Sequence, residues 1–93
     1  MDTKNDTMTV KCGNMAEKHR DHLLVGAKQF RKSLRAGTVS RVYLAKNADP
    51  AVTGPVEDLC RQNRIEYVWV KTMNELGRAC GIEIGAAVAT VTK

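Results

Sequence analysis

The sequence predicts an α/β fold, a three-layer α/β/α sandwich on a central mixed sheet of about four strands. Two observations predict it. Helix-like and strand-like segments alternate along the chain, in the order helix, strand, helix, strand, helix, strand, and such alternation covers both faces of a sheet with helices. The strand-like segments are near-continuous apolar runs, as in Tyr67, Val68, Trp69 and Val70, which is how strands buried on both sides read. At 93 residues the chain has the length of one domain with a modest core.

The elements follow in order. Residues 1 to about 14 are polar with little periodicity and read as a frayed leader. Residues 15–22 can form a short helix, and Leu23, Leu24 and Val25 are a brief apolar run leading into Gly26. In the stretch 26–37, Ala27, Phe30 and Leu34 recur at helical spacing and define a buried face, with Gly37 as the C-cap. Residues 39–45 are β-branched and aromatic, a strand. Asp49 is placed to cap a helix whose first-turn residue is Pro50. Val52, Val56, Leu59 and Cys60 give that helix an apolar face. Pro55 stands inside the pattern, so the helix is expected to start near residue 53 or to bend. Asn63 marks its end, and residues 65–70 form a second strong strand. Thr72 then caps a helix with Glu75 at the capping-box position, and Gly81 stops it. The small and β-branched run 86–92 is the last strand.

Composition bounds the function. Hydrophobic content of 43% and charged content of 27% are globular values and exclude a disordered chain. No apolar run approaches the roughly 20 residues of a membrane span, and the first residues lack a signal-peptide core. Cys12, Cys60 and Cys80 are odd in number and widely spaced, which argues against a disulfide framework and fits a reducing cytoplasm. Cys12, His19 and His22 match no common zinc spacing. Cys80 has no obvious base beside it and reads as a small buried thiol rather than a nucleophile.

The charge is unevenly placed. No acid stands between Asp21 and Asp49, while Lys28, Arg31, Lys32, Arg35, Arg41 and Lys46 fall in that window. A one-sided basic surface of this kind favours a polyanionic partner, because binding phosphates releases counterions; the alternative is an ordinary solvated helix face. Lys28, Gln29 and Lys32 sit near the N-terminus of a helix, where free backbone amides receive phosphates. Lys and Gln side chains also reach base edges. Near the other end, Ile82 and Ile84 flank Glu83 between Gly81 and Gly85. The two isoleucines either point into the core or form an apolar platform with one hydrogen-bond acceptor.

Three ordered motifs carry a resemblance. Gly26-Ala27-Lys28-Gln29, Ala45-Lys46-Asn47-Ala48-Asp49-Pro50 and Leu76-Gly77-Arg78-Ala79-Cys80-Gly81-Ile82-Glu83-Ile84 resemble the kink-turn-binding ribosomal protein family, the large-subunit seven-Ae/thirty-e superfamily, and in particular its small bacterial, ribosome-associated members. The likeness spans roughly residues 20–92. Outside it lies a flexible or partly helical leader over 1–18, and it implies a single kink-turn-binding domain over 19–93 with structured RNA or the ribosome as partner; with the readings above, the protein is expected to be cytoplasmic and monomeric, with no cofactor, metal or catalysis.

A kink-turn is a duplex bent sharply at a short bulge beside tandem sheared G·A pairs. The resemblance implies that the helix starting at Gly26 enters the groove beside those pairs, with Lys28 and Gln29 on guanine edges and Lys32 on guanine or backbone. Gly26, Arg31, Lys46 and Arg78 join the expected RNA-binding set. Ile82, Glu83 and Ile84 would cover the bulged nucleotides, with at least one isoleucine turned to RNA. This chain carries Lys28-Gln29 where many members carry Asn-Glu. An amide in place of a carboxylate loses a charge-assisted acceptor for guanine N–H groups, so weaker discrimination is expected. The competing expectation is a structural protein that docks on ribosomal RNA or protein without kink-turn specificity. An enzyme is disfavoured by the lack of a glycine-rich cofactor loop or an acid–base constellation.

Overall fold

The computed structural model describes residues 22–93. The leader expected over 1–18, and most of the short helix expected over 15–22, lie outside that range. Four strands and three helices follow: β1 (Leu23–Val25), α1 (Ala27–Ala36), β2 (Val39–Ala45), α2 (Pro50–Gln62), β3 (Glu66–Val70), α3 (Met73–Ala79) and β4 (Val88–Thr92). The sheet order is β1-β4-β2-β3. β4 runs antiparallel to both β1 and β2, while β2 and β3 are parallel. The parallel pair is joined through α2, the crossover that parallel strands require.

The sheet separates two cores, as the sandwich expectation requires. On one face Phe30 of α1 and Val56 and Cys60 of α2 pack on Val42, Leu44 and Val88. On the other, Leu76 and Ala79 of α3 pack on Ala45, Val70 and Ala89. The alternation of Val42 and Leu44 against Tyr43 and Ala45 places neighbouring residues of one strand in opposite layers.

Local signals set most boundaries. Gly37, in the left-handed conformation, ends α1 with its N–H on Leu34 O and Ser33 O. The Asp49 carboxylate accepts from Ala51 N at 2.9 Å, ahead of Pro50 in the first turn of α2. Thr72 Oγ1 accepts from Glu75 N at 3.1 Å and starts α3.

Two expectations are corrected, and one segment left without an element is assigned. Leu23–Val25 is a strand, paired with β4 in the register Leu23↔Val91 and Val25↔Ala89; three residues are too few to show alternation. The second helix does not start near residue 53 but at Pro50, and it runs through Pro55. Pro55 removes the N–H that would bond Ala51 O, and both residues are exposed, so water can satisfy that carbonyl. Val52 is 36% exposed and Thr53 is buried in its place, while Val56 and Cys60 are buried as expected.

Candidate nucleic-acid interface

Backbone hydrogen bonds gather three segments at one end of the sheet. Gly26 N donates to Val88 O at 2.8 Å, Ala45 N to Ala87 O at 3.0 Å, and Lys46 N to Val70 O at 2.8 Å. The start of α1, the turn after β2 and the α3–β4 loop therefore share the edge formed by the C-terminal ends of β1, β2 and β3 and the N-terminal end of β4.

Gly26 sits at φ 107, ψ 152, a conformation essentially restricted to glycine. It lets the chain leave β1 and enter α1 while its N–H stays on Val88. No side chain caps this helix and its first turn holds no acid, so its free amides and positive dipole end are not neutralised locally. Phe30 anchors the inner face of the helix. Lys28, Arg31 and Lys32 are exposed and Gln29 is half-buried. Arg35 continues the exposed row to the C-terminal end of the helix.

These cations differ from Arg41 and Arg61, which are paired with acids. Arg41 is bonded to Glu66 at 2.9 Å, and Arg61 lies 3.4 Å from Glu57, which also accepts from Tyr67 OH at 2.9 Å. Among the described residues Lys28, Arg31, Lys32 and Arg35 have no such acidic partner. Glu57 and Glu66 are thus matched to their own neighbours, and the positive field of α1 is left open.

The α3–β4 loop lies along α3. Ile82 N donates to Gly77 O and Ala86 N to Met73 O, each at 3.0 Å. Ile84 is 74% exposed, whereas Ile82 is half-buried against the α3-side core. The loop thus splits the two readings of its isoleucines: one packs inward and one stands out, beside the exposed Glu83. Lys46 and Arg78 are exposed too, on the turn after β2 and on the last turn of α3.

Two residues that arrange the loop were not anticipated as functional. Asn47 Oδ1 accepts from Met73 N at 2.8 Å, tying the turn after β2 to the start of α3. Gly77 is buried inside α3 with Ile84 O beside it. A glycine in the interior of a helix already signals a close backbone approach; Asn47 gave no comparable signal.

Cys60 is buried in the α2-side core, and burial, with Glu57 nearby, pushes its thiol up to about 11, which keeps it protonated and inert. His22 is described, but Cys12 and His19 are not; among the described residues no cluster of His, Cys, Asp or Glu fits a metal ion. No helix among them is long and apolar enough to cross a membrane.

Comparison with known proteins points in one direction. A sequence profile described as the Ribosomal protein L7Ae/L30e/S12e/Gadd45 family matches residues 9–93. The chain is 43% identical over 75 residues to an RNA-binding protein of Caldanaerobacter subterraneus subsp. tengcongensis, covering 81% of this chain and 92% of that one. It is 33% identical over 67 residues to large ribosomal subunit protein eL8 of Halobacterium salinarum, covering 71% of this chain and 56% of the other. A Giardia lamblia 15.5kD RNA binding protein superposes with a TM-score of 0.85 at 25% identity, covering 97% of this chain and 78% of that one.

Proposed function

We propose, since this chain belongs to the Ribosomal protein L7Ae/L30e/S12e/Gadd45 family, that it is a non-catalytic, ribosome-associated RNA-binding protein that recognises kink-turns. The observation that carries the reading is the meeting of two unlike surfaces at one sheet edge. One is the unneutralised N-terminus of α1 with Lys28, Gln29, Arg31 and Lys32. The other is the loop that presents Ile84 at 74% exposure.

Each surface suits one half of a kink-turn. An A-form major groove is too narrow for side chains, so a helix enters only where the duplex is bent or non-canonically paired. There Lys28 binds guanine O6 and N7, Gln29 offers both donor and acceptor, and Lys32 takes guanine or phosphate. Arg31, Lys46 and Arg78 add phosphate contacts around that centre. Unstacked bulge bases expose apolar faces, which Ile84 covers, with Ile82 supporting it from below. Glu83 accepts from a base N–H or a 2′-OH. The amide of Gln29, standing where relatives of the Asn-Glu type have a carboxylate, leaves less discrimination than they achieve.

The test is a gel-shift titration at one fixed moderate salt concentration, since the basic surface alone binds RNA with steep salt dependence. It compares a kink-turn duplex with the same duplex whose G·A pairs are made Watson–Crick. Binding at least about tenfold tighter to the kink-turn, about 1.4 kcal/mol, is expected, with Lys28→Ala and Glu83→Ala each weakening it while the fold persists. Equal affinity for the two duplexes would overturn the kink-turn reading and favour ribosome docking through a general electrostatic surface.

A further inference from the structure

We propose that Gly77 is a positioning residue for RNA recognition: its missing side chain lets the backbone at Ile84 lie against α3 and so fixes where the Ile84 side chain is presented. This rests on the kink-turn reading above and names a residue that touches no RNA in it.

The geometry around Gly77 is unusually closed. A methyl group built there would run into the carbonyl oxygen of Ile84, with Ile84 C at 3.1 Å and Gly85 Cα at 3.2 Å. All three are backbone atoms, so no flexible side-chain end can swing aside. Met73 and Gly77 are one turn apart and share a face of α3. That face also holds both ends of the loop, through Ile82 N on Gly77 O and Ala86 N on Met73 O. Gly85 lies equally close, since a methyl there would sit 3.0 Å from Met73 Cβ. Residues 82–86 are therefore pinned at both ends to one helix edge, with no free space between. The Ile84 carbonyl faces that edge and its side chain faces solvent.

Glycine inside a helix lowers helix stability relative to alanine. In α3 the neighbours offset nothing through a side chain at this position; what the glycine permits is the approach of the loop. Alanine would strengthen the helix itself while pushing Ile84 and Gly85 outward, so helix stability and loop placement move in opposite directions.

The experiment measures binding of wild type, Gly77→Ala, Ile84→Ala and the double variant to the kink-turn duplex and its Watson–Crick control, with circular dichroism as the check on folding. Expected is a folded Gly77→Ala protein whose kink-turn affinity falls about tenfold, with binding to the control duplex and its salt slope unchanged, because Lys28 and Lys32 are untouched. Adding Ile84→Ala to it should cost little more than either change alone, as coupled sites do. Wild-type discrimination that survives Gly77→Ala, or losses that multiply in the double variant, would overturn this role and leave the kink-turn reading standing. Absence of discrimination in wild type would overturn both. If Gly77→Ala does not fold, Gly85→Ala carries the test, because its methyl meets Met73 Cβ at 3.0 Å, a milder clash than that at Gly77. A several-fold loss that is again non-additive with Ile84→Ala supports the proposal, and wild-type binding by Gly85→Ala overturns it.

Discussion

At the scale of single residues, burial of one hydroxyl sets up a simple stability test. Thr90, in the middle of β4, is fully buried, and its Oγ1 has no hydrogen-bond partner among the described residues. A buried unsatisfied polar group costs about 1–3 kcal/mol, and valine fills nearly the same shape without it. Thr90→Val is therefore expected to stabilise the protein by about 1 kcal/mol, seen as a higher urea midpoint at unchanged slope. A lower midpoint would show that the hydroxyl is satisfied in solution. Nothing in the sequence distinguished Thr90 from Thr92, since both read simply as β-branched strand residues. The same limit applied to Ile82 and Ile84. Their spacing allowed core or surface for either, and only the seating of the loop on α3 turned Ile82 inward and left Ile84 out.

Elements were legible wherever a residue changes backbone chemistry by itself. Gly37, Asp49 with Pro50, Thr72 and Gly81 each announce an end or a start through a conformation or a capping oxygen that needs no distant partner. β1 was not legible because its existence depends on β4, 68 residues away at the Leu23↔Val91 pair. Within α1 the division of labour is itself testable. Gln29, half-buried at the first turn, is the residue proposed to read bases, whereas Arg31 is an exposed cation without an acidic partner among the described residues. Arg31→Ala should weaken binding to every RNA about equally and lower the salt slope by about 1, as loss of one phosphate contact does. Gln29→Ala should narrow the gap between kink-turn and control duplex at unchanged slope. Titrations at several salt concentrations separate the two, and a change in discrimination on removing Arg31 would contradict this assignment.

For the molecule as a whole, the site exists because the sheet order brings distant segments to one edge. Each of the three motifs was readable on its own, but their convergence was read only through family resemblance, since it depends on β4 inserting antiparallel between β1 and β2. Asn47 shows how the parts are then locked. Its Oδ1 holds Met73 N at 2.8 Å, so the turn after β2 fixes the start of α3, and α3 in turn fixes the loop through Met73 O and Gly77 O. The bond is exposed, so water replaces it in an Asn47→Ala variant and the fold should lose only about 0.5–1.5 kcal/mol. The effect should be local in space although it crosses elements. Hydrogen exchange at the Ile82 and Ala86 amides should accelerate, while exchange at Phe30 N, bonded to Gly26 O at 3.2 Å, should follow only the small change in global stability. Asn47→Asp keeps the acceptor and should restore slow exchange at both loop amides. Uniform acceleration throughout the domain, or none at Ile82 and Ala86, would mean that α3 is held by its core contacts alone and that Asn47 plays no part in placing the loop.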